Sequence, residues 1–281
     1  MLSSRSLGAL LAAGVVVVSA GIAAPGAHAS VVAPAPRADA GEAVVVMSWN
    51  IAGGKQHGGG VEPIVPTIAT AIRERGVTAA VLNEVCASQA TALRKRMPRY
   101  TVHYFLAESD RCRGGIGNAV VAPKGSTRLK RFSRGLPSGD SYVRNVGCVR
   151  LPGGGKVAVC GTHHSFEVRL ADVRQRQARI TTDLVERMVD RGYAVVAGGD
   201  LNATPRSPQL DEFYSRLYAG GRGVLRESNG CCGRRGPGTT RNGGKKIDYF
   251  FFSRRLDRTG SRVVPTRFSD HRQVVLRTRL R

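Results

Sequence analysis

The sequence predicts an α/β protein in which two packed sheets are flanked by helices. Short β-branched runs alternate with segments whose apolar residues recur at helical spacing. Long crossovers and a tight hairpin both connect the predicted strands, and this mixture indicates two packed sheets. The chain has 281 residues, enough to bury a substantial core. The sequence shows no internal repeat and no linker that would divide the chain. We therefore expect a single domain over residues 44–281.

The individual elements follow from the apolar pattern in chain order. Apolar residues at 64, 65, 68, 69 and 72 form one helical stripe, whereas 44–49 is a continuous β-branched run. The predicted strands are 44–49, 79–82, 102–106, 119–122, two within the hairpin 141–162, 194–197, 247–253 and 273–277. The predicted helices are 64–75, 88–96, 168–191 and 209–217. The segment 220–244, rich in Gly and Arg, is predicted to be a long loop.

The first residues have the pattern of a secretory signal peptide. Arg5 precedes an apolar run at 7–24, and the small-residue sequence Ala27-His28-Ala29 follows it. We therefore predict a signal peptide over 1–29, a flexible Pro- and Ala-containing lead-in over 30–43, and a secreted, extracellular protein. An uncleaved membrane anchor is the alternative, although the run barely reaches the ~18–20 residues that a span needs.

The charge of the chain restricts its partners. Lys and Arg number 43 against 20 Asp and Glu, which leaves +23. Such an excess rules out an acidic partner-binding surface and makes phosphate-bearing polymers or anionic lipid the first candidates. Compositional bias of the genome is an equally good explanation of the charge by itself. Since 42% of the residues are hydrophobic, the chain is not a disordered basic tail.

The cysteines are even in number, which in an exported chain favours disulfides. They are Cys86, Cys112, Cys148, Cys160, Cys231 and Cys232. A Gly-rich turn at 151–156 joins two alternating runs, and pairing about that turn sets Cys148 opposite Cys160. The first two cysteines are the next pair in order, and the adjacent last two would form a vicinal ring or two separate bridges. Zinc is the competing explanation, but no CxxC occurs.

Polar residues follow several of the predicted strands, and ligands in α/β folds bind at strand ends. The clusters are Trp49-Asn50, Asn83-Glu84, His163-His164, Asp200-Leu201-Asn202, Ile247-Asp248-Tyr249 and Ser269-Asp270-His271. Singly, each has a structural explanation, such as a turn, a first-turn helix carboxylate or a core histidine. Asp200 and Asn202, two residues apart, would point the same way in an extended segment. Together these oxygen donors favour Mg²⁺, with Mn²⁺ or Ca²⁺ as alternatives, over zinc.

Seven short motifs carry a resemblance to a known family. They are Trp-Asn at 49–50, Leu-Asn-Glu-Val at 82–85, Gly-Asn-Ala-Val at 117–120, Thr-His at 162–163, Gly-Asp-Leu-Asn-Ala-Thr-Pro at 199–205, Ile-Asp-Tyr at 247–249 and Ser-Asp-His at 269–271. In this order they resemble the endonuclease/exonuclease/phosphatase superfamily, which has the deoxyribonuclease-I-like fold. The resemblance implies a four-layer α/β/β/α sandwich that binds a divalent metal and a phosphoester at one end of the sheets.

The resemblance also implies a role for each motif residue. Asn50 and Glu84 match the metal-binding amide and acid, and Asp270 matches a second metal-side carboxylate. Asn118 of the third motif matches a substrate contact. Asp200 and Asn202 match the residues that activate the attacking water and hold the phosphate.

Two histidines and one further carboxylate complete the implied set. His271 matches the histidine that meets the scissile phosphate, and Asp248 matches the carboxylate that orients it. His163 matches a second histidine that protonates or stabilises the leaving oxygen. Asn83 and Cys86 depart from the family, which commonly has Gln at the first position and, in pancreatic-type deoxyribonucleases, Arg at the second.

The substrate class is open between nucleic acid and phospholipid. The positive charge favours a nuclease acting on DNA or RNA, and Arg234, Arg235, Arg241, Lys245 and Lys246 precede Asp248 in a Gly-rich loop that would bring them to phosphates. A sphingomyelinase or phospholipase C, with peripheral membrane contact, is the alternative, but the Gly-rich turn at 152–155 lacks the aromatics that enter a lipid interface. A catalytically inactive nucleic-acid-binding protein is a third hypothesis. We expect a monomer without a stable protein partner.

Overall fold

Two mixed sheets lie face to face in the computed structural model, which describes residues 39, 41–107, 112, 114–229, 234–241 and 244–281. The predicted signal peptide, most of the predicted lead-in and the last two cysteines lie outside the described residues. Within the described part of the chain, no helix is both long enough and apolar enough to cross a membrane.

Each predicted strand is present, and over the residues that it describes the structure adds four strands that the apolar pattern did not predict, at 127–128, 134–136, 226–227 and 256–264. The strands are β1 (Ala43–Asn50), β2 (Ala79–Cys86), β3 (Tyr100–Ala107), β4 (Ile116–Pro123), β5 (Thr127–Arg128), β6 (Arg134–Leu136), β7 (Arg144–Arg150), β8 (Val157–His163), β9 (Ala194–Asp200), β10 (Arg226–Glu227), β11 (Asp248–Phe252), β12 (Leu256–Val264) and β13 (Gln273–Leu280). The α-helices are α1 (Ile64–Glu74), α2 (Ala87–Arg96) and α3 (Ala171–Asp190), and the 3₁₀ turns are Lys130–Phe132, Val168–Leu170 and Pro208–Glu212.

Each sheet combines parallel and antiparallel strands. Among the described residues, the first sheet has the order β12-β13-β1-β2-β4-β3 and the second has β10-β11-β9-β8-β7-β5, with β6 also paired to β7. The parallel pairs are β1 with β2 and β8 with β9. These two parallel pairs place the carboxyl ends of four strands at one end of the sandwich, where the polar motifs lie.

Three apolar layers hold the sheets and helices together. Ile68 of α1 packs with Trp49 on the outer face of the first sheet. Val81 and Val159 belong to the layer between the two sheets. Val185 of α3 belongs to the third layer, against the outer face of the second sheet. The four-layer α/β/β/α sandwich is therefore confirmed.

The predicted helix 209–217 is wrong. Only Pro208–Glu212 is helical, as a 3₁₀ turn, and Tyr214 and Ser215 then form isolated bridges with Leu225 and Gly223. The physical reason is tertiary packing, because the Tyr214 ring lies edge-on to the Phe251 ring, 5.0 Å between centroids. A regular helix would not bring the backbone of this segment to these bridging partners.

The predicted hairpin disulfide is confirmed, and a second disulfide joins the two cysteines that are next in order. Cys148 and Cys160 are register partners in the β7–β8 hairpin and are bonded, with a Cα–Cα distance of 4.1 Å. Cys86 and Cys112 form the other bridge. The hairpin bridge ties strands of the second sheet, and the other fixes the end of β2, two residues after Glu84.

Position 199, directly before Asp200, requires a glycine. Its φ is +139° in strand β9, a conformation that side-chain-bearing residues rarely adopt. A Cβ at this position would overlap the carbonyl oxygen of Thr162 on the neighbouring strand. Since Asp200 follows directly, glycine here lets β8 and β9 approach closely just before the chain reaches that carboxylate.

We expect the substitution Gly199→Ala to lower the free energy of unfolding by about 2 kcal/mol or more, because it adds a backbone clash to an unfavourable φ. Gly135→Ala in β6 is the matched control, since the nearest atom to its added Cβ, the Arg144 carbonyl oxygen, is 4.0 Å away. Urea unfolding followed by fluorescence measures both. Equal stabilities for the two variants would contradict the argument.

Candidate active site

Three adjacent strands of the second sheet bring catalytic candidates into a row. In the parallel pair β8–β9, His163 is the register partner of Asp200. In the antiparallel pair β9–β11, Asp200 is the register partner of Asp248. Strand pairing alone therefore places these three side chains at the same edge of the sheet.

The first sheet contributes an amide and a carboxylate from β1 and β2. The β2–β4 pairing shifts register between Leu82 and Val85, and Glu84 within this bulge has a φ of +55°. The Asn50 side-chain amide donates hydrogen bonds to Glu84 Oε1 and to Asp200 Oδ2, both at 3.0 Å. Asn50 thus connects the carboxylates of the two sheets.

The segment before β13 is attached to the same end of the sandwich. The Ser269 hydroxyl donates to the Asn50 carbonyl at 2.7 Å and accepts the His271 backbone N–H at 3.0 Å. Asp270 lies between them, and its Oδ2 accepts a hydrogen bond from Lys55 Nζ at 3.0 Å. One buried hydroxyl therefore positions both Asp270 and His271.

His271 is held as an imidazolium. Its Nδ1 lies 2.9 Å from Asp248 Oδ2, and its Nε2 lies 3.7 Å from Asp200 Oδ2. Burial lowers the pKa of His271, but the charges of Asp248 and Asp200 more than offset this and raise it to about 10. The ring therefore carries its proton at neutral pH and presents Nε2–H toward the site.

Asp200 is a carboxylate whose pKa lies near neutral pH. Burial and the charge of Asp248 raise its pKa to about 7, against the opposing effect of His271. Its other oxygen, Oδ1, accepts the backbone N–H of Asn202 at 3.0 Å. A carboxylate with such a pKa can accept a proton from water near pH 7.

His163 and Asn202 form the opposite side of Asp200. His163 Nε2 is 3.5 Å from Asp200 Oδ2 and 3.3 Å from the Asn202 side-chain nitrogen. Burial lowers the pKa of His163 well below its usual value, so this ring is neutral. Asn202 has a φ of +47°, so the backbone leaves the regular extended conformation at this residue, yet both the Asp200 and the Asn202 side chains line the same cleft.

Most of these side chains line one open cleft of about 230 Å³, room for several waters or a phosphodiester group, whereas Asn50 and Asp248 are buried behind it. Its walls are Lys55, Glu84, Tyr142, Arg144, His163, Phe166, Asp200, Asn202, Asp270 and His271. The sequence analysis missed Lys55, Tyr142, Arg144 and Phe166. Arg144 donates to both oxygens of Asp140, at 2.8 and 3.2 Å, and its buried guanidinium is thereby fixed beside the cleft. An Asp four residues before an Arg is a common sequence pattern, so the sequence could not have predicted that Arg144 lies at the cleft.

A family model described as "Endonuclease/Exonuclease/phosphatase family" matches residues 47–271. The chain belongs to this family. Its members are hydrolases that act on phosphoester bonds and use divalent metals. No curated protein sequence matches the chain.

Solved structures share the fold of this family member at low sequence identity. A Beutenbergia cavernae endonuclease/exonuclease/phosphatase is 23% identical, with 85% of this chain and 72% of that chain covered and a TM-score of 0.62. The human nocturnin catalytic domain with bound sulfate is 17% identical, with 85% and 94% covered and a TM-score of 0.66. A D. rerio TDP2 complexed with single-strand DNA product is 14% identical, with 84% and 99% covered and a TM-score of 0.65.

The donor set of this family member fits a hard divalent cation. Asp200, Asp248 and His271 have ligand atoms within 4.8 Å of one another, but the protonated ring of His271 is a poor ligand. Glu84 and Asp270, which are both half-buried, line the same cleft. Several carboxylates lie together at this end of the sandwich, and a bound cation would reduce their mutual repulsion. Oxygen donors of this kind suit Mg²⁺, Mn²⁺ or Ca²⁺. We therefore favour Glu84 and Asp270 as the metal carboxylates.

Asn118 has a supporting position inside the protein and also lines a small pocket together with Glu84 and His163, so its role as a substrate contact stays a prediction. Its Oδ1 accepts from the Asn83 side chain at 2.8 Å, and its Nδ2 donates to Asn145 Oδ1 at 3.0 Å. Asn83 Oδ1 in turn accepts the backbone N–H of Asp200 at 3.0 Å. The polar atoms of Asn118 are thus engaged inside the protein, in a chain of amides that ends on Asp200.

Two of the five predicted phosphate-binding residues are also engaged internally. Buried Lys246 forms an ion pair with Glu227 Oε1 at 2.7 Å, and Arg234 pairs with Asp211 and packs over the Tyr214 ring. Neither side chain is available to substrate, so Arg234 and Lys246 are corrected to structural residues. Their ion pairs satisfy charges that burial would otherwise make costly.

The other three basic residues of the loop are exposed. These are Arg235, Arg241 and Lys245. The Arg241 backbone N–H donates to the Asp270 carbonyl at 2.7 Å, and Thr240 bridges to His271. The loop therefore lies beside the cleft, as its position before Asp248 predicted.

We expect the ring of His271 to remain protonated above pH 8 in the metal-free protein, and Asp248→Asn to lower its pKa. Burial lowers the pKa of His271, and the negative charge of Asp248 is the first of the effects that oppose it. Without that charge, the imidazolium is less stable. Long-range ¹H–¹⁵N NMR of the imidazole nitrogens, in excess chelator, measures both. His103, whose pKa burial lowers, is the internal control and should be unaffected. A wild-type His271 that titrates near pH 6.5 would refute the pairing.

Proposed function

We propose that this protein is an exported, divalent-metal-dependent nuclease that hydrolyses phosphodiester bonds of DNA or RNA. The observation that carries the hydrolytic part is the His271 imidazolium beside Asp200, in one cleft with Arg144. This set offers a proton acceptor for water together with two positive groups for a phosphate. Two disulfides and the signal-like first residues support export.

The titratable residues at the catalytic end of the sheets have separate tasks in this proposal. Asp200 accepts the proton of the attacking water, and its pKa of about 7 suits that task. His271 donates Nε2–H to a phosphate oxygen, where negative charge develops, and Asp248 maintains the ring's orientation and charge. When bound at Glu84 and Asp270, the cation supplies further neutralisation of the phosphate.

His163, Asn202 and Asn50 orient the groups that react. The Asn202 side chain donates to the His164 carbonyl at 3.0 Å and lies against His163, which keeps both side chains fixed beside the phosphate position. Because His163 is neutral, it is suited to a hydrogen bond with the leaving oxygen, and the charged role belongs to His271. Asn50 donates to Asp200 Oδ2, the oxygen that also faces His163 and His271, and so fixes the orientation of the carboxylate.

Nucleic acid is supported as the substrate by charge and by the fold. The net charge of +23 and the exposed basic residues beside the cleft favour a polyanion. The structurally similar D. rerio TDP2 is known in complex with a single-strand DNA product. A sphingomyelinase or phospholipase C is the second candidate, favoured by exposed apolar side chains such as Val143 and Phe166 near the cleft.

The first test compares substrates and metal dependence. We expect Mg²⁺-dependent release of acid-soluble nucleotide from DNA or RNA, faster than phosphocholine release from sphingomyelin vesicles. Excess chelator or Glu84→Gln should reduce the rate at least about 100-fold, since both remove charge neutralisation at the phosphate. Asp257→Asn, at an exposed carboxylate paired with Arg281, is the control. Full activity in chelator would refute the metal mechanism, and faster sphingomyelin cleavage would establish the second candidate.

A second test asks whether Asp248 and His271 act as a unit. We expect Asp248→Asn and His271→Ala each to reduce kcat/KM by about 100-fold or more, and the double variant to be little worse than the worse single variant. The reason is that Asp248 acts through the charge and orientation of one ring. Steady-state kinetics on DNA measure the cycle, and multiplicative losses would show that the two residues act independently.

A further inference from the structure

Phe166 is an exposed aromatic side chain on the wall of the catalytic cleft. It follows β8 by three residues and is 49% exposed. Among the large hydrophobic side chains exposed in the described part of the chain, it is the aromatic one. An exposed ring of this size has no role in the core, and its position beside catalytic groups points to a ligand.

The ring of Phe166 is supported at its edge by a second aromatic ring. The Tyr142 ring lies edge-on to it, with centroids 6.3 Å apart and planes at 79°. Tyr142 itself is mostly buried, and the Arg144 guanidinium lies 4.7 Å from its centroid. Phe166 therefore belongs to a supported aromatic wall next to a fixed positive charge.

We propose that Phe166 is a stacking platform for a nucleobase adjacent to the scissile phosphate, and that the enzyme acts on single-stranded segments. This inference rests on the nuclease function proposed above. The cleft joins a π surface to cationic groups, which matches a nucleotide with an aromatic base and an anionic phosphate. Bases within a duplex are already stacked, so an unpaired base is the one that offers its face.

The surroundings of the ring favour a base over a lipid tail. Phe166 shares its cleft with Arg144, Asp200 and Asp270. An apolar group that inserts into a membrane would bring these charged groups to the acyl boundary with it, where desolvation is costly. A nucleobase needs only the ring face and leaves the charged groups to its phosphate and to water.

The test uses two oligomers that differ only in their bases. One is single-stranded oligothymidylate, and the other is a phosphodiester of the same length built from abasic tetrahydrofuran units. We expect Phe166→Ala to raise KM on oligothymidylate roughly 5- to 150-fold, the range found when stacking on an aromatic side chain is removed. On the abasic oligomer the same variant should match the wild type.

Two further variants separate stacking from general damage. Phe166→Trp keeps an aromatic face and should retain most of the wild-type preference for oligothymidylate. Val168→Ala shortens a side chain that is 90% exposed and two residues away from Phe166. This variant should leave KM unchanged on both oligomers. Fluorescence anisotropy of labelled oligothymidylate with metal-free protein gives the affinity without turnover, and Phe166→Ala should weaken it by the same factor.

The remaining outcomes overturn the proposal in distinguishable ways. Equal losses on both oligomers, or no loss on either, would refute stacking while leaving the nuclease function intact. If the wild type cleaves neither oligomer and releases phosphocholine, the nuclease function fails as well. Weaker binding of Phe166→Ala to sphingomyelin vesicles, with unchanged oligothymidylate affinity, would assign the ring to a lipid surface instead.

Discussion

The arrangement of this site depends on two carboxylates buried side by side at the end of the second sheet. Asp200 and Asp248 are register partners and are both almost fully buried. Two adjacent negative charges in that environment require compensation. His271 supplies it as an imidazolium between them, and the polar groups around Asp200 are arranged to satisfy its remaining oxygen and its backbone.

The compensation extends across both sheets. Asn50 on β1 donates to Asp200, and Asn83 on β2 accepts the Asp200 backbone N–H. Asn83 then continues through Asn118 on β4 to Asn145 on β7, so that a chain of buried amides joins the first sheet to the second. Such a network is stabilising only when its members are paired, and here each amide has a partner. The catalytic end of the sandwich is thereby fixed against sliding of one sheet over the other.

The loop before β11 is held to the same end by buried polar contacts. The Thr239 hydroxyl accepts the backbone N–H groups of Ile247 and Asp248, both at 3.0 Å. The buried Lys246–Glu227 ion pair anchors the loop from the other side. These contacts explain why only some of its basic residues face solvent, and they leave Arg235, Arg241 and Lys245 exposed beside the cleft.

The sequence by itself determined the layered α/β architecture, the hairpin disulfide and most of the site. Asn50, Glu84, Asp200, Asp248 and His271 could be named from the sequence because each lies in a short motif at or next to an end of a predicted strand. The packing of the two sheets then brings these strand ends together at one end of the sandwich. The hairpin turn defined the register that pairs Cys148 with Cys160, since register is a local property of a tight turn.

The tertiary structure alone decided which polar groups face substrate and which satisfy the interior. Arg234 and Lys246 resemble their exposed neighbours in sequence, but each forms an ion pair with a carboxylate from a distant part of the chain. Residues 209–217 have a helical pattern, yet contacts with β11 and with the segment 223–225 break it. Phe166 gives no signal in sequence because an aromatic residue after a strand is usually core. In each case the outcome depends on partners far along the chain, and burial and charge pairing with such partners exist only once the fold has formed.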